Sequence, residues 1–151
     1  MAAVQVRQDN DVTPFIRYGM GTTKNDAVIL QDAGRTEPLL YGTLMAKIAA
    51  TGKWVPFTDE TATDGSAIPQ GFFVGSEVPA AALVAGDVTD VPILIGIDCI
   101  VSRSKIVMEN SKTLDTVITV GTTDLRTVED RLADRGLFIE DSVDISSFEN
   151  I

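Results

Sequence analysis

The apolar positions of this chain fall into short runs broken by polar, glycine- or proline-bearing stretches. That pattern predicts strands joined by turns rather than long helices. Val4 and Val6 alternate with Gln5 and Arg7, a brief period of two that Asp9-Asn10-Asp11 interrupts. Pro14-Phe15-Ile16 is a small apolar knot, and Gly19-Met20-Gly21 loosens the chain after it. Residues 1–26 therefore predict an extended arm with sticky points at Val4, Val6, Phe15 and Ile16, since a merely solvated tail needs no such side chains. From Ala27 the character changes. Ala27–Leu30 reads as a strand, and a polar connection follows to Pro38. The runs 39–49 and 54–57, on either side of Ala50-Thr51-Gly52-Lys53, predict a β-hairpin. Pro56 has no N–H for a ladder, so its strand is an edge or stops there.

Thr58 to Ala67 reads as a polar loop, with Asp64-Gly65 suited to positive φ. Ile68, Phe72, Phe73 and Val74 return to apolar territory. Glu77–Ala85 predicts a short helix with Pro79 in its first turn and Gly86 as its stop. Residues 91–101, VPILIGIDCIV, predict one long strand buried on much of both faces, with Ile93, Ile95, Ile97, Cys99 and Val101 on one side. Ile106–Met108 predicts a short partner strand. Asp124–Arg135 predicts the second helix: Leu125, Val128 and Leu132 share a stripe, Thr123 caps it, Gly136 closes it, and Arg126 and Asp130 form an i,i+4 pair. Leu137-Phe138-Ile139 reads as a returning strand. The whole predicts a mainly β chain with one or two short helices, of α+β class. It divides into an arm (1–26), a globular domain (27–143) and a tail (144–151).

Composition narrows the chemistry. Asp plus Glu outnumber Lys plus Arg by 22 to 12, a net charge of −10 that repels nucleic-acid backbones, and no concentrated basic patch offsets it. Histidine is absent, which removes the commonest general base and the commonest transition-metal ligand. The single cysteine, Cys99, has no internal disulfide partner and sits mid-strand, where a buried structural thiol is the expectation. Asp59, Glu60 and Asp64 carry too few alternating oxygen ligands for an EF-hand loop, and an acid/base role for them needs a cleft. Ser66 lies in no nucleophile elbow, and Gly19–Lys24 lacks the spacing of a phosphate loop. Trp54 reads as a core or hairpin anchor. No apolar run reaches the ~18 residues a membrane span requires, and no signal-peptide core is present. The expectation is a protein without catalytic residues, cofactor or metal.

The order of pieces GTLMAKIAATGKWVPF, TDGSAIPQGFFVG, VPAAA and VPILIGIDCIV resembles the head decoration proteins of lambda-type tailed phages. Thr63-Asp64-Gly65-Ser66-Ala67 followed by Gly71-Phe72-Phe73 fits the family's order, the late helix and strand at 124–140 continue it, and the order of these short motifs carries the likeness. The resemblance spans about residues 37–143 and leaves the arm and the tail outside.

The resemblance implies a β-clip-like bent β-ribbon and a homotrimer. Such trimers sit on the outer surface of the virion capsid at local three-fold positions, cement the major capsid protein against the pressure of packaged DNA, and perform no catalysis. The expected partners are the major capsid protein and two further copies, with no nucleic acid and no membrane, after synthesis in the host cytoplasm. Val4, Val6, Phe15 and Ile16 are then expected to anchor the arm on the shell, for instance by adding a strand to an exposed edge. Two other readings stand beside this one. One is a different phage structural or adhesion module, such as a tail or baseplate adaptor or a host-surface binding domain. The other is a small hydrolase using Asp59, Glu60 or Asp64.

Overall fold

The computed structural model describes residues 15–18, 22–96, 99–120 and 125–141. Among these, eight strands and two short helices form a closed five-stranded barrel and a separate three-stranded sheet. The strands are β1 (Ile16–Tyr18), β2 (Thr23–Ile29), β3 (Leu44–Lys47), β4 (Trp54–Pro56), β5 (Pro69–Phe73), β6 (Val88–Leu94), β7 (Cys99–Ser102) and β8 (Leu137–Glu140). The helices are α1 (Ala80–Ala85) and α2 (Val128–Ala133). The barrel runs β2-β4-β3-β5-β6 and the sheet runs β1-β7-β8. The mainly β character with two short helices is as the sequence predicts.

An odd number of strands cannot alternate in direction all the way round a closed ring. One parallel seam is therefore required, and it falls between β2 and β4, where Ile29 faces Trp54. The other four barrel pairs are antiparallel. The hairpin β3–β4 matches the sequence reading: Gly52 takes the positive φ of its turn, and Pro56 is the last residue of its strand.

Neighbouring residues of the barrel strands serve two different cores. Met45, Phe73 and Ile93 join Ala27, Ile29, Trp54 and the α1 residue Leu83 in one cluster. Leu44, Phe72 and Leu94 join Cys99, Val101 and Leu137 from the small sheet and Val128 and Leu132 from α2 in the other. Successive strand residues point to opposite faces, so these three strands are walls shared by both cores. A Cβ on Gly71 would lie 2.5 Å from the Leu94 carbonyl oxygen, so only glycine lets β5 and β6 approach this closely there.

Four expectations need correction. The run 91–101 is not one strand: β6 ends at Leu94 and β7 begins at Cys99, in a different sheet. The chain leaves the barrel at Gly96, whose φ is +22°. The second helix is Val128–Ala133, capped by the Thr127 hydroxyl accepting from the Asp130 amide at 3.3 Å. Leu125 precedes it and is 63% exposed, so the buried stripe is Val128 and Leu132 alone, and Arg126 pairs with Asp134 at 2.6 Å. Ile106–Met108 contributes only a parallel bridge from Val107 to Thr43. Finally, the predicted arm overlaps the fold, because β1 and most of β2 lie before residue 27.

Candidate functional site

β1 runs antiparallel to β7, with Ile16 opposite Val101, while β8 runs parallel to β7, with Glu140 opposite Ser102. The start of β1 and the finish of β8 therefore lie at the same end of the sheet, on either side of Ser102. The Ser102 amide donates to the Phe15 carbonyl at 2.8 Å on one flank. On the other, Arg103 donates from Nε to Asp141 at 3.0 Å and from Nη2 to Glu129 at 2.5 Å. Adjacent strands lie about 4.8 Å apart, so Phe15 and Asp141 flank this end of the sheet about 10 Å from each other.

The surface beside this end of the sheet is apolar. Phe15 packs edge-on against Phe72 at 5.3 Å and Tyr41 at 5.4 Å between ring centroids. Phe15 is buried, whereas Leu40 and Tyr41 are 40% and 48% exposed. Gly42 holds them in place with a φ of +92°, and a Cβ there would collide with the Lys105 carbonyl. Thr43 finishes the turn, its hydroxyl donating to the Leu40 carbonyl at 2.7 Å.

Leu40 also forms one wall of a cleft of about 500 Å³, together with Pro38, Val107, Asp32 and Glu37. Arg35 forms its back. Its guanidinium donates to both Glu109 oxygens at 2.6 Å, to the Glu37 carbonyl at 2.7 Å and to the Pro38 carbonyl at 3.1 Å. The Glu109 carboxylate, hydrogen-bonded to it, holds the Arg35 guanidinium above its ordinary value. Planar bidentate pairing of this kind fixes both groups, and here it ties the 30s loop to residue 109. Arg35 is thereby a clamp, and the groups the cleft offers a visitor are its apolar wall and the carboxylates of Asp32 and Glu37.

Of the residues expected to anchor a partner, Val4 and Val6 lie outside the described residues. Phe15 is 6% exposed and belongs to the core shared by barrel and sheet; Ile16 packs against that core from β1. Both are committed within their own chain, because β1 is a sheet strand rather than part of a loose arm.

The acidic loop is geometric. Asp59 accepts from the Thr61 amide and hydroxyl at 2.8 and 2.6 Å, and Asp64 accepts from those of Ser66 at 2.9 and 2.5 Å. These bonds hold both carboxyls below their ordinary values, opposite to what a general acid at neutral pH needs. Glu60 pairs with Lys112 at 2.7 Å and is lowered by that contact. Cys99 is fully buried, and burial pushes its thiol up. Trp54 is buried in the barrel core with the Lys47 ammonium 5.5 Å from its ring centre.

Among the described residues no three His, Cys, Asp or Glu side chains gather as metal ligands, and no helix is long and apolar enough to cross a membrane. No family model, curated protein or solved structure matches this chain. The Arg35–Glu109 clamp and the Leu40–Tyr41 patch were missed from sequence. The clamp joins residues 74 positions apart, and Leu40-Tyr41 reads as the start of a hairpin strand until the turn at Gly42 is seen.

Proposed function

We propose that this chain is a decoration protein of a phage head, binding as a homotrimer to the outer surface of the capsid at local three-fold sites and cementing the major capsid protein. The observation that carries the reading is that β1 begins and β8 finishes at the same end of one sheet, about 10 Å apart, so one underlying lattice can engage both sides of that end. The β-clip-like fold and the lattice position come from the resemblance in residues 37–143.

Several features suit such a role. The acidic, histidine-free surface avoids nucleic acid. The acidic loop is consumed in shaping turns. Anchoring on the shell then falls to Val4 and Val6, with Phe15 and Ile16 held in the core of their own chain. Each fully buried valine contributes ~1.5–3 kcal/mol, and ordering each residue costs ~1–2 kcal/mol, so a single leader is near balance. Three leaders on one trimer gain ~10²–10⁴ in avidity.

The test is to mix purified protein with expanded, undecorated heads and image them. Density capping the three-fold positions is the expected result, and heads left bare at saturating dose exclude the reading. A hexamer in solution would favour a tail or baseplate adaptor instead.

A further inference from the structure

The Arg35–Glu109 pair borders two clefts. Besides the one walled by Leu40, a second of about 310 Å³ abuts it, and the two share Asp32, Arg35 and Glu109. Pro38, Leu40 and Val107 make the first lobe apolar on one side, and Ile48, Val55 and Pro56 do the same for the second. We propose that the two lobes form one groove for an extended segment of a partner protein, with an arginine or lysine of that segment over Asp32 and Glu37 and the apolar side chains flanking it in the two lobes.

Charge selects a cation. Arg35 lies near enough to Asp32 and Glu37, as well as Glu109, for all three carboxylates to favour its charged form. One guanidinium among three carboxylates leaves two negative charges (three minus one) where the lobes meet. Asp32 and Glu37 are exposed, and neither forms a salt bridge among the described residues. Arg35 is no lure for an anion, because its guanidinium is directed at Glu109 and at the Glu37 and Pro38 carbonyls. The apolar walls select a peptide over a bare cation. Leu40 and Tyr41, both well exposed, carry the first wall out onto the surface. In an extended chain, side chains two residues apart share a face about 6.6 Å from each other. A cation with an apolar residue two positions away on each side therefore presents all three to one surface, as a charged junction between two apolar lobes requires. The net charge of −10 draws such a segment from a distance. The groove and its occupant stand whether or not the chain sits on a phage head.

The experiment is an amide chemical-shift titration of the full chain with a capped pentapeptide, Leu-Ala-Arg-Ala-Leu, and with its twin carrying citrulline, which has the shape of arginine without the charge. The arginine peptide should give saturable shifts by about 10 mM, centred on the residues that line the two lobes. It should bind about two- to fivefold more tightly than the citrulline twin at low salt, the gap closing as salt is added. Asp32→Asn/Glu37→Gln should erase that preference and leave the fold intact, because an amide at position 32 still accepts from the Gly34 N–H and Glu37 is exposed. Leu40→Ala should weaken both peptides alike. No saturable shift at the lining residues overturns the proposal. So does equal affinity for the two peptides, and so does a preference that survives the neutral double variant. Shifts of the same amides that grow with protein concentration in the absence of peptide would give the groove to a second copy and overturn it as well. Bare heads in the decoration assay would leave peptide binding standing, and a failed titration would leave decoration standing.

Discussion

Replacing Glu109 by alanine should destabilise the protein far more than removing both partners of its ion pair. The Arg35 side chain is 8% exposed and that of Glu109 21%, so the pair is nearly buried. Breaking a buried pair from one side typically costs ~3–5 kcal/mol, because the survivor is left charged and dry. Here the guanidinium keeps its bonds to the Glu37 and Pro38 carbonyls, and Glu109 lies nearer the solvent, so about 2–3 kcal/mol is the reasoned loss. Arg35→Met/Glu109→Leu removes both charges together and should fall within about 1 kcal/mol of the wild type. Equilibrium urea unfolding reads this directly. With a slope of ~1–3 kcal/mol/M, Glu109→Ala should lower the midpoint by about 0.7–3 M, and the double variant by no more than a third to a half of that. The deficit of the single variant should also change little with added salt, unlike that of an exposed pair. If Glu109→Ala and the double variant shift the midpoint equally, the clamp does not act as a buried pair and the argument fails.

Deleting residues 2–14 should leave the melting temperature nearly unchanged while lowering head occupancy; deleting 2–16 should also remove the buried Phe15 ring, costing ~3–5 kcal/mol and about 10 °C in a thermal melt. Equal melting temperatures for the two truncations would refute the placement of Phe15 in the core. Asp59 and Asp64 have folded pKa values lowered by their Thr61 and Ser66 partners, so their contribution is complete above the ordinary aspartate value and is lost as pH falls through the lowered one. Melting temperature should therefore drop on acidification below about pH 4, and Asp59→Asn/Asp64→Asn should flatten that limb. Cys99 should react with an aromatic disulfide reagent only at the rate of unfolding, since its thiol is buried and its pKa raised; prompt reaction in native buffer would contradict its position.

Local pattern determined much of this molecule. The β3–β4 hairpin, its end at Pro56, the short α1 between Pro79 and Gly86 and the self-capping turns at Asp59 and Asp64 each depend on residues a few positions apart, so their chemistry is written in consecutive letters. Tertiary structure decided where apolar residues go when both faces of a strand are buried. From Val91 to Ser102 no described residue is exposed, hence no polar register marks the passage from barrel to sheet at Gly96. The same limit misassigned Phe15 and Leu125: hydrophobicity says that a side chain gains from leaving water, and only the packed neighbours say which one finds room. Phe15 found Phe72 and Tyr41, while Leu125 was left outside α2. The surface proposed for function belongs wholly to this second kind, because the common end of β1 and β8 follows from which strands flank β7: β1 pairs with it across more than 80 residues and β8 across 38, pairings that burial of Val101 and Leu137 enforces and no short-range signal encodes.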